Sequence, residues 1–248
     1  MNETRPGTEM GDDDFSRLMQ ADRLFTLGRL VAGVAHEIGN PLTGILTYAY
    51  LLRDSLPESD PRREDLEVII KETLRCREIV RGLLDFARQC KLKREKFNLS
   101  DIIRQAIKLI EKQKDYKDVK IILELDPSAE VMEGDPYQIE QVILNLVFNG
   151  IDAMSRKGNL WIRTRAGEKN CIELEVEDQG CGIPPELREA IFEPFFTTKK
   201  DQGGTGLGLS ICWGIVKNHN GEIKLESEPG KGTRFKVILP KICPAQNP

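Results

Sequence analysis

The sequence predicts an antiparallel hairpin of two long α-helices followed by a two-layer α/β domain with a mixed sheet. Apolar residues recur at alternating spacings of three and four over 24–56 and again over 66–90, which is the helical period. After the basic run at 91–96 the pattern of apolar residues changes to that of short strands and helices. We therefore expect a tail or linker at 1–21, a helical domain at 22–94, an α/β domain at 95–243 and a tail at 244–248.

Composition and charge exclude several classes of protein. Of 248 residues, 40% are hydrophobic and 31% charged, which suits a folded chain with a solvated surface. The net charge of −4 gives no attraction towards nucleic acid or an anionic membrane. No apolar run approaches the roughly 18 to 20 residues that cross a bilayer, and the six cysteines include no CxxC pair. We expect a cytoplasmic chain without a transmembrane segment, a zinc site or a nucleic-acid partner.

The two helices of the hairpin are predicted from their apolar positions. Seams run along both: Leu42, Ile45, Ala49, Leu52 and Leu56 on the first, and Leu66, Ile69, Thr73, Cys76 and Val80 on the second. Each helix also has a second apolar edge: Leu46 and Leu51 on the first, Ile70 and Leu84 on the second. Two helices cannot cover stripes this wide, so we expect two hairpins to pair as a homodimeric four-helix bundle.

The α/β domain is predicted element by element. Ser100 is expected to cap a helix that ends at Lys112, and Asp135-Pro136 to open another. A third helix is expected at Leu207–Asn218. The expected strands are Val119–Leu125, Leu160–Thr164, Ile172–Val176, Glu222–Leu225 and Arg234–Leu239, the last two as a closing hairpin. Adjacent strands near the end favour a mixed sheet with helices on one face.

His36 is the candidate reactive residue of the first helix. At 100° per residue it points away from the apolar side of that helix, towards solvent. Gly33 and Gly39 cost about 1 kcal/mol each in a helix interior and leave room for another molecule to reach the imidazole. Glu37 can hold one ring nitrogen and raise the nucleophilicity of the other. The alternative is an ordinary surface histidine, and His219 is expected at a helix cap or on the surface.

A polar face on the predicted helix after Asp135 offers ligands for a cation. Gln141, Asn145, Asn149 and Asp152 follow one another at spacings of four, four and three. Amide oxygens can complete the coordination of a Mg²⁺ ion whose charge is balanced by nucleotide phosphates. The alternative is a polar face that is simply solvated.

A glycine-containing turn follows the strand that ends near Val176. The Asp178 carboxylate can accept a hydrogen bond from the amino group of a base, while Gly180 and Gly182 let the backbone approach a flat ring. An ordinary tight turn is the alternative, because a DxGxG pattern alone is weakly specific.

A second glycine-rich stretch, 203–210, leads into a predicted helix. Such a loop offers unpaired N–H groups and the positive end of a helix dipole to phosphates. The GxxxxGK[ST] spacing of a P-loop is missing. The short polar segment 197–203 before it is expected to be a mobile lid over a ligand. The phenylalanines at 192, 195 and 196 can equally belong to the core.

The order and spacing of these motifs resemble the histidine kinase family. Residues 35–42 (AHEIGNPL) resemble its phospho-acceptor motif, the four stretches above resemble its N, first glycine, phenylalanine and second glycine boxes, and 230–233 resembles its last glycine turn. The resemblance covers about residues 22–240. It implies a dimerisation and phospho-acceptor bundle, a Bergerat-type ATP-binding sandwich, ATP and Mg²⁺ as cofactors, and a response regulator receiver domain as partner.

The resemblance also implies roles for individual residues. His36 would be the nucleophile, Glu37 its orienting base, and Asn40 would position water in a reverse phosphatase reaction. Asn149 would bind Mg²⁺ and Asp178 would bind the adenine amino group. The whole nucleotide-binding set would be Asn145, Asn149, Asp152, Asp178, Gly180, Gly182, Ile183, Phe192, Lys199, Gly204, Thr205, Gly206, Leu207, Gly208 and Thr233. Gly39 and Gly150 depart from the family, in which a basic residue and an alanine are common.

Two other functions stay open beside phosphorylation of His36. A Bergerat-type clamp would hydrolyse ATP to drive a conformational change, but Asn145 stands where ATP-hydrolysing relatives have a glutamate that activates water. A non-catalytic dimeric scaffold would keep nucleotide binding only for signalling, but Asn149, Asp178 and both glycine boxes are intact.

Overall fold

The computed structural model describes residues 38–88, 93–112, 116–199 and 204–242, without the side chains of 78 and 81–88. The chain divides between Cys90 and Lys91 into two compact units. The predicted domain limits at 21, 94 and 243 stay predictions. His36 and Glu37 lie outside the described residues.

The first unit is the expected helical hairpin. Helix α1 is described over 38–55 and helix α2 spans Arg62–Arg88. The guanidinium of Arg63 donates hydrogen bonds to the carbonyl oxygens of Arg53 and Leu56, at 3.0 and 2.7 Å, and so satisfies carbonyl groups at the end of α1. The turn between the helices is thereby fixed by a residue of the first turn of α2.

The core of the single hairpin combines residues of the predicted seam and of the second edge. Leu46, Ala49 and Ile70 are buried, with Leu74 packed against them. The predicted seam residues Ile45, Leu52 and Ile69 are 46%, 57% and 45% exposed. The seam is therefore only partly buried within one hairpin, at Ala49 and Thr73, because periodicity shows that a stripe is apolar but not which part of it faces the helix of the same chain.

The second unit is a two-layer α/β sandwich, and its mixed sheet confirms the predicted fold class. Helices α3, α4 and α5 span Leu99–Glu111, Pro136–Ala153 and Gly208–Asn218. The strands are β1 Glu95–Asn98, β2 Val119–Leu125, β3 Val131–Gly134, β4 Gly158–Ala166, β5 Cys171–Asp178, β6 Glu222–Glu228 and β7 Gly232–Pro240. The five-stranded sheet has the order β2-β4-β5-β7-β6, with β2 and β4 parallel and the other pairs antiparallel.

The core of this unit lies between the helices and one face of the sheet. Helix α4 is central, because it packs against α3, α5 and strands β4, β5 and β7. Fully buried apolar side chains fill the layer, among them Ile103, Ile139, Ile143, Leu146, Ile151, Leu160, Ile162, Leu174, Ile215 and Val237. Since α4 also carries the polar positions 145, 149 and 152, its packing fixes where those side chains can lie.

The opposite face of the sheet carries a ladder of ion pairs. The Arg163 guanidinium lies 2.8 Å from Glu124 and 2.7 Å from Glu175, and also pairs with Glu177. Cross-strand pairs of opposite charge are a usual way to cover a sheet face that no helix covers. The helix-bearing face is therefore the one that holds the candidate site.

One predicted helix cap was wrong, and one pair of strands was not predicted. Helix α3 is capped by Asn98, whose side chain accepts a hydrogen bond from the N–H of Asp101. Ser100 lies inside the helix and is buried, so it is not the cap. The antiparallel pair β1 and β3, with Glu95 opposite Gly134, was not predicted, because each strand has only four residues.

Asp135 begins α4 as expected, and its carboxylate accepts hydrogen bonds from the N–H groups of Tyr137 and Gln138. In the part of the chain that the structure describes, no helix combines the length and the apolar character that crossing a bilayer requires.

Candidate functional site

The Asp178 carboxyl group lies buried at the end of β5, with 6% of the residue exposed. One of its oxygens, Oδ1, accepts a hydrogen bond from the N–H of Gly180 at 2.7 Å. Burial raises the pKa of Asp178 to about 6, although the N–H groups of Gly180 and Thr233 and the charge of Lys199 act in the opposite direction. A carboxylate that is costly to bury is usually kept for a ligand.

The glycines that follow Asp178 are required by the protein's own packing. A Cβ at Gly180 would lie 2.6 Å from the carbonyl carbon of Ala153, at the end of α4. Gly182 has φ +70°, and a Cβ there would lie 2.1 Å from the carbonyl oxygen of Glu228. The turn therefore packs against α4 and the β6–β7 hairpin. Both glycines are needed for this packing, whether or not the ring of a base lies over them.

The start of α5 lies against the polar face of α4. The amide of Asn145 donates a hydrogen bond to the carbonyl oxygen of Gly208 at 3.2 Å. A Cβ built on Gly208 would lie 3.8 Å from Oδ1 of Asn145 and 4.0 Å from Nδ2 of Asn149. Among the described residues no side chain caps α5, whose first residue, Gly208, lies beside these amides.

Lys199 links α4 to the loop before α5. Its ammonium group lies 3.5 Å from a carboxylate oxygen of Asp152, with both side chains partly exposed. Its backbone N–H donates to the hydroxyl of Thr197, and its carbonyl oxygen accepts from the N–H of Gly204. The two ends of the predicted lid are therefore joined, while residues 200–203 lie outside the described residues.

The second glycine stretch is held by close backbone contacts. Gly206 has φ +68°, and a Cβ there would lie 2.5 Å from the carbonyl carbon of Phe195. The hydroxyl of Thr205 accepts a long hydrogen bond, 3.4 Å, from the N–H of Leu207, which is 3% exposed. These contacts place the entry to α5 beside the phenylalanine stretch.

Thr233 and Ile183 meet at one side of Asp178. The buried Thr233 lies opposite Asp178 in the β5–β7 ladder, and its hydroxyl is 2.9 Å from that of Ser227. Ser227 also accepts the N–H of Ile183 at 2.8 Å. Sequence analysis missed Ser227, since a lone serine in a strand has no motif; its register position opposite Thr233 was the available signal.

A cleft of about 450 Å³ opens beside Asp178 and Thr233, and Arg188 and Lys231 contribute to its lining. Arg188 pairs with the carbonyl oxygen of Ser227 and was also missed by sequence analysis. The predicted site residues thus form two neighbouring groups, one around Asp178 and one around the start of α5.

Phe192, which belongs to the predicted set, and Gly150, which departs from the family, have clear roles in packing. Phe192 stacks edge-on against Phe235, with ring centroids 6.4 Å apart, so it belongs at least in part to the core. A Cβ at Gly150 would lie 2.8 Å from Cδ1 of Leu160 and 3.2 Å from Cβ of Asp178. Gly150 therefore lets Leu160 and Asp178 approach α4 more closely than an alanine would.

The phospho-acceptor segment is described only from Ile38. Asn40 is exposed on α1, and the helix at Gly39 borders open space, because a Cβ there would have no atom within 4 Å. The positions of His36 and Glu37 relative to the nucleotide-site residues stay a prediction.

Two family models match the chain. Residues 26–89 match the His kinase A (phospho-acceptor) domain, and residues 134–242 match the domain described as histidine kinase-, DNA gyrase B- and HSP90-like ATPase. The catalytic domain of the histidine kinase ThkA superimposes with a TM-score of 0.54 at 36% identity, over 60% of this chain and 99% of that one. A phospho-acceptor hairpin followed by a domain of this class defines a sensor kinase core. The chain belongs to the histidine kinase family.

Longer relatives match both units. The signal transduction histidine-protein kinase AtoS of Escherichia coli (strain K12) is 38% identical over 225 residues, which is 90% of this chain. The chain spans only 36% of the length of AtoS. The crystal structure of ThkA in complex with the response regulator protein TrrA matches at 31% identity and a TM-score of 0.65, over 95% of this chain and 68% of that one.

Proposed function

We propose that the protein transfers the γ-phosphoryl group of ATP to its own His36 and then passes it to an aspartate of a response regulator. The observation that carries this proposal is the buried carboxyl group of Asp178 in a domain that shares one chain with a phospho-acceptor hairpin. Oδ1 accepts the N–H of Gly180, and the N–H of Thr233 also acts on this carboxyl group; each carboxylate oxygen has two lone pairs, so acceptor capacity is left for an adenine amino group.

The nucleotide is proposed to lie with its base at Asp178 and its phosphates at the start of α5. Thr233, Ile183, Gly180 and Gly182 would border the base. Uncapped N–H groups of a helix with a glycine-rich entry favour bound anions, which suits phosphates at Thr205, Gly206, Leu207 and Gly208. Lys199 and Gly204 would lie at the outer phosphates, with Phe192 supporting the loop.

Mg²⁺ is proposed to bind Asn149, with Asn145 nearby and Asp152 at the edge of the site. The amides of Asn145 and Asn149 both lie beside Gly208, and amide oxygens are suitable ligands for this ion. The bound ion would neutralise charge on the β- and γ-phosphates. Asp152 is already engaged by Lys199, so its role would be to position that lysine.

The proposed reaction forms an N–P bond and breaks an O–P bond. One ring nitrogen of His36 attacks the γ-phosphorus in line with the leaving oxygen, and ADP departs with the bonding electron pair. Glu37 would accept the proton from the other ring nitrogen. Asn145 is an amide and cannot deprotonate water, so the γ-phosphoryl group is kept for the histidine. In the reverse direction, Asn40 would position water for dephosphorylation of the regulator.

A response regulator is proposed as the partner because its aspartate can receive a phosphoryl group from the labile phosphohistidine. The complex of ThkA with TrrA supports this choice. Because ATP is the phosphoryl donor, the catalytic chain is proposed to work in the cytoplasm.

Replacing Gly39 tests whether another molecule must approach α1 beside His36. Gly39→Ala fits the helix without a clash and should stabilise the hairpin by about 1 kcal/mol. We expect unchanged phosphorylation of His36 but transfer to the receiver domain slowed at least about threefold, since a methyl group would stand at the docking surface.

Phosphotransfer from purified, labelled kinase to its receiver domain measures this effect. Gly44→Ala is the matched control, because it too is a helical glycine of α1 with no atom within 4 Å of an added Cβ. Equal transfer rates for both alanine variants would contradict a docking role for Gly39.

Homodimerisation is proposed from the apolar surface that one hairpin leaves exposed. Ile45 and Leu52 are seven residues apart on α1, and Ile69 lies on α2. All three are about half exposed. This arrangement is typical of one face of a helical bundle that a second copy covers.

A charge in that face should break the dimer. Leu52→Glu would bury an unpaired carboxylate, so we expect the chain to become monomeric at micromolar concentration and to lose stability. Thr47→Glu is the control, because Thr47 is exposed on a polar face of α1. Light scattering measures the mass of each; a Leu52→Glu chain with the same mass as the wild type would contradict this interface.

A further inference from the structure

The imidazole of His219 joins the two helices that carry the candidate nucleotide site. The surface position that was one prediction for His219 is wrong: the residue lies at the C-terminus of α5 and is 1% exposed. Its Nε2 accepts a hydrogen bond from the N–H of Asp135 at 3.0 Å, and its Nδ1 lies 2.8 Å from the carbonyl oxygen of Ile215. An amide N–H only donates and a carbonyl only accepts, so both contacts require the neutral tautomer with its proton on Nδ1.

Asp135 connects this ring to two further parts of the unit. Its Oδ1 accepts the N–H groups of Tyr137 and Gln138, at 3.1 and 3.2 Å, and so caps α4. Its Oδ2 accepts the N–H of Lys93 at 3.1 Å, in the segment that follows the hairpin. One residue therefore ties together the start of α4, the segment before β1 and the ring at the end of α5.

The space around the ring is shaped for it. A Cβ built on Gly134 would lie 2.8 Å from Cδ2 and 2.9 Å from Nε2 of His219. Real side chains do not make contacts this short, so the ring occupies the place that any other residue at 134 would need. The imidazole is thus packed and hydrogen-bonded at once, which fixes the end of α5 closely.

Helix α5 is consequently attached to α4 at both ends. At its start, the amide of Asn145 donates to the carbonyl oxygen of Gly208, and at its end His219 accepts the N–H of Asp135. A packed helix moves along its axis as a rigid body, and small misplacements at a binding site are costly. A change at the end of α5 is therefore transmitted to its start.

We infer that His219 is a positioning residue for nucleotide binding, which holds α5 in register with α4 and keeps the start of α5 beside Asn145 and Asn149. This inference rests on the proposed function, because that function assigns phosphates and Mg²⁺ to these groups. His219 touches neither, so it acts through the helix that it anchors.

Burial keeps the ring neutral. Burial lowers the pKa of His219, and Arg94 acts in the same direction, whereas Asp135 opposes the shift. Protonation would set a second N–H against the N–H of Asp135. The stabilisation from the ring is therefore complete above pH 6.5 and is lost as the pH falls through the lowered pKa.

Two substitutions separate positioning from simple stabilisation. His219→Phe fills a similar volume without an acceptor, and we expect its affinity for ADP to fall about 10-fold, because release of the end of α5 displaces the groups at its start. His219→Gln keeps an oxygen that can accept the N–H of Asp135, and its affinity should stay within about threefold of the wild type. Thr164→Val is the control. Thr164 lies in β4, and its buried hydroxyl accepts the N–H of Asp126.

Calorimetric titration with ADP, well below the melting temperature of each variant, measures these affinities in the full chain. Loss of affinity in the Phe variant, recovery in the Gln variant and none in the Thr164→Val control would support the inference. A folded Phe variant with wild-type affinity would overturn it, as would equal losses in all three. ADP that fails to bind the wild type would contradict the proposed function instead.

A spectroscopic test leaves His219 and its surroundings unchanged. The chain has two histidines, so ¹⁵N NMR of the wild type resolves both rings, and His36→Gln assigns them. We expect His219 to keep its proton on Nδ1 at pH 7 and to protonate below pH 6.5. The opposite tautomer, or a titration at the ordinary value of an exposed histidine, would overturn the inference with or without nucleotide.

Discussion

Asp178→Asn is expected to weaken ATP binding about 10- to 100-fold and, at the same time, to stabilise the protein. The loss of affinity follows from exchanging a charged acceptor for a neutral one. The gain in stability follows from burial, which raises the pKa of Asp178 from 3.8 to about 6 and makes its ionised form costly in the folded state. A group that weakens the fold and binds the ligand is a functional residue rather than a structural one.

The sign of the pH dependence can be worked out from the same shift. Because the folded-state pKa is raised, the wild type loses stability as the pH rises from 3.8 through about 6, up to roughly 3 kcal/mol. The asparagine variant does not titrate, so its advantage should be absent near pH 3.8 and complete above pH 6. Nucleotide affinity of the wild type should change the other way and fall as the carboxylate protonates below about pH 6.

Urea unfolding at several pH values and calorimetric titration with ADP measure the two effects. Glu173→Gln is a useful control, since it removes a carboxylate of the same strand that pairs with Lys236 on the opposite face of the sheet. We expect that variant to lose stability and keep its affinity. An Asp178→Asn chain that binds ADP like the wild type would remove Asp178 from the adenine site.

His36→Gln is expected to abolish phosphorylation of the chain while leaving ATP binding unchanged. An amide cannot attack the γ-phosphorus, so no residual phosphoenzyme should remain, whereas the groups proposed to hold ATP all lie in the other unit. Incubation with γ-labelled ATP and Mg²⁺, followed by electrophoresis without acid treatment, measures the label. Labelled protein that survives this substitution would show that a different residue accepts the phosphoryl group.

The sequence predicted the fold where a pattern is repeated over several residues. Strand Val119–Leu125 alternates at every position except Ile122 and was predicted with its observed bounds, and the start of α4 at Asp135-Pro136 follows from cap chemistry. The four-residue strands β1 and β3 were missed, because so short a segment carries no measurable period. Which part of the hairpin's apolar stripe is buried within one chain could not be predicted, because an apolar stripe does not reveal which neighbour covers it.

The candidate site was predictable to the extent that it lies in short motifs. Asn145, Asn149 and Gly208 lie close together, although Gly208 comes 59 positions after Asn149 in the sequence. The role of His219 could not be predicted, because its partner Asp135 is 84 residues away and no local pattern marks a buried imidazole. The reason for the glycines at 180 and 182 also depends on contacts with distant backbone, which sequence alone does not show.

The most direct test of the whole account is the fate of the γ-phosphoryl group when the wild-type chain is incubated with labelled ATP and Mg²⁺. We predict labelled protein whose label is lost in acid and retained in alkali, the behaviour of a phosphoramidate, with no matching release of free phosphate. Release of phosphate without labelled protein would indicate an ATP-hydrolysing clamp. Neither product, from a chain that binds ATP, would indicate a scaffold and contradict the kinase account.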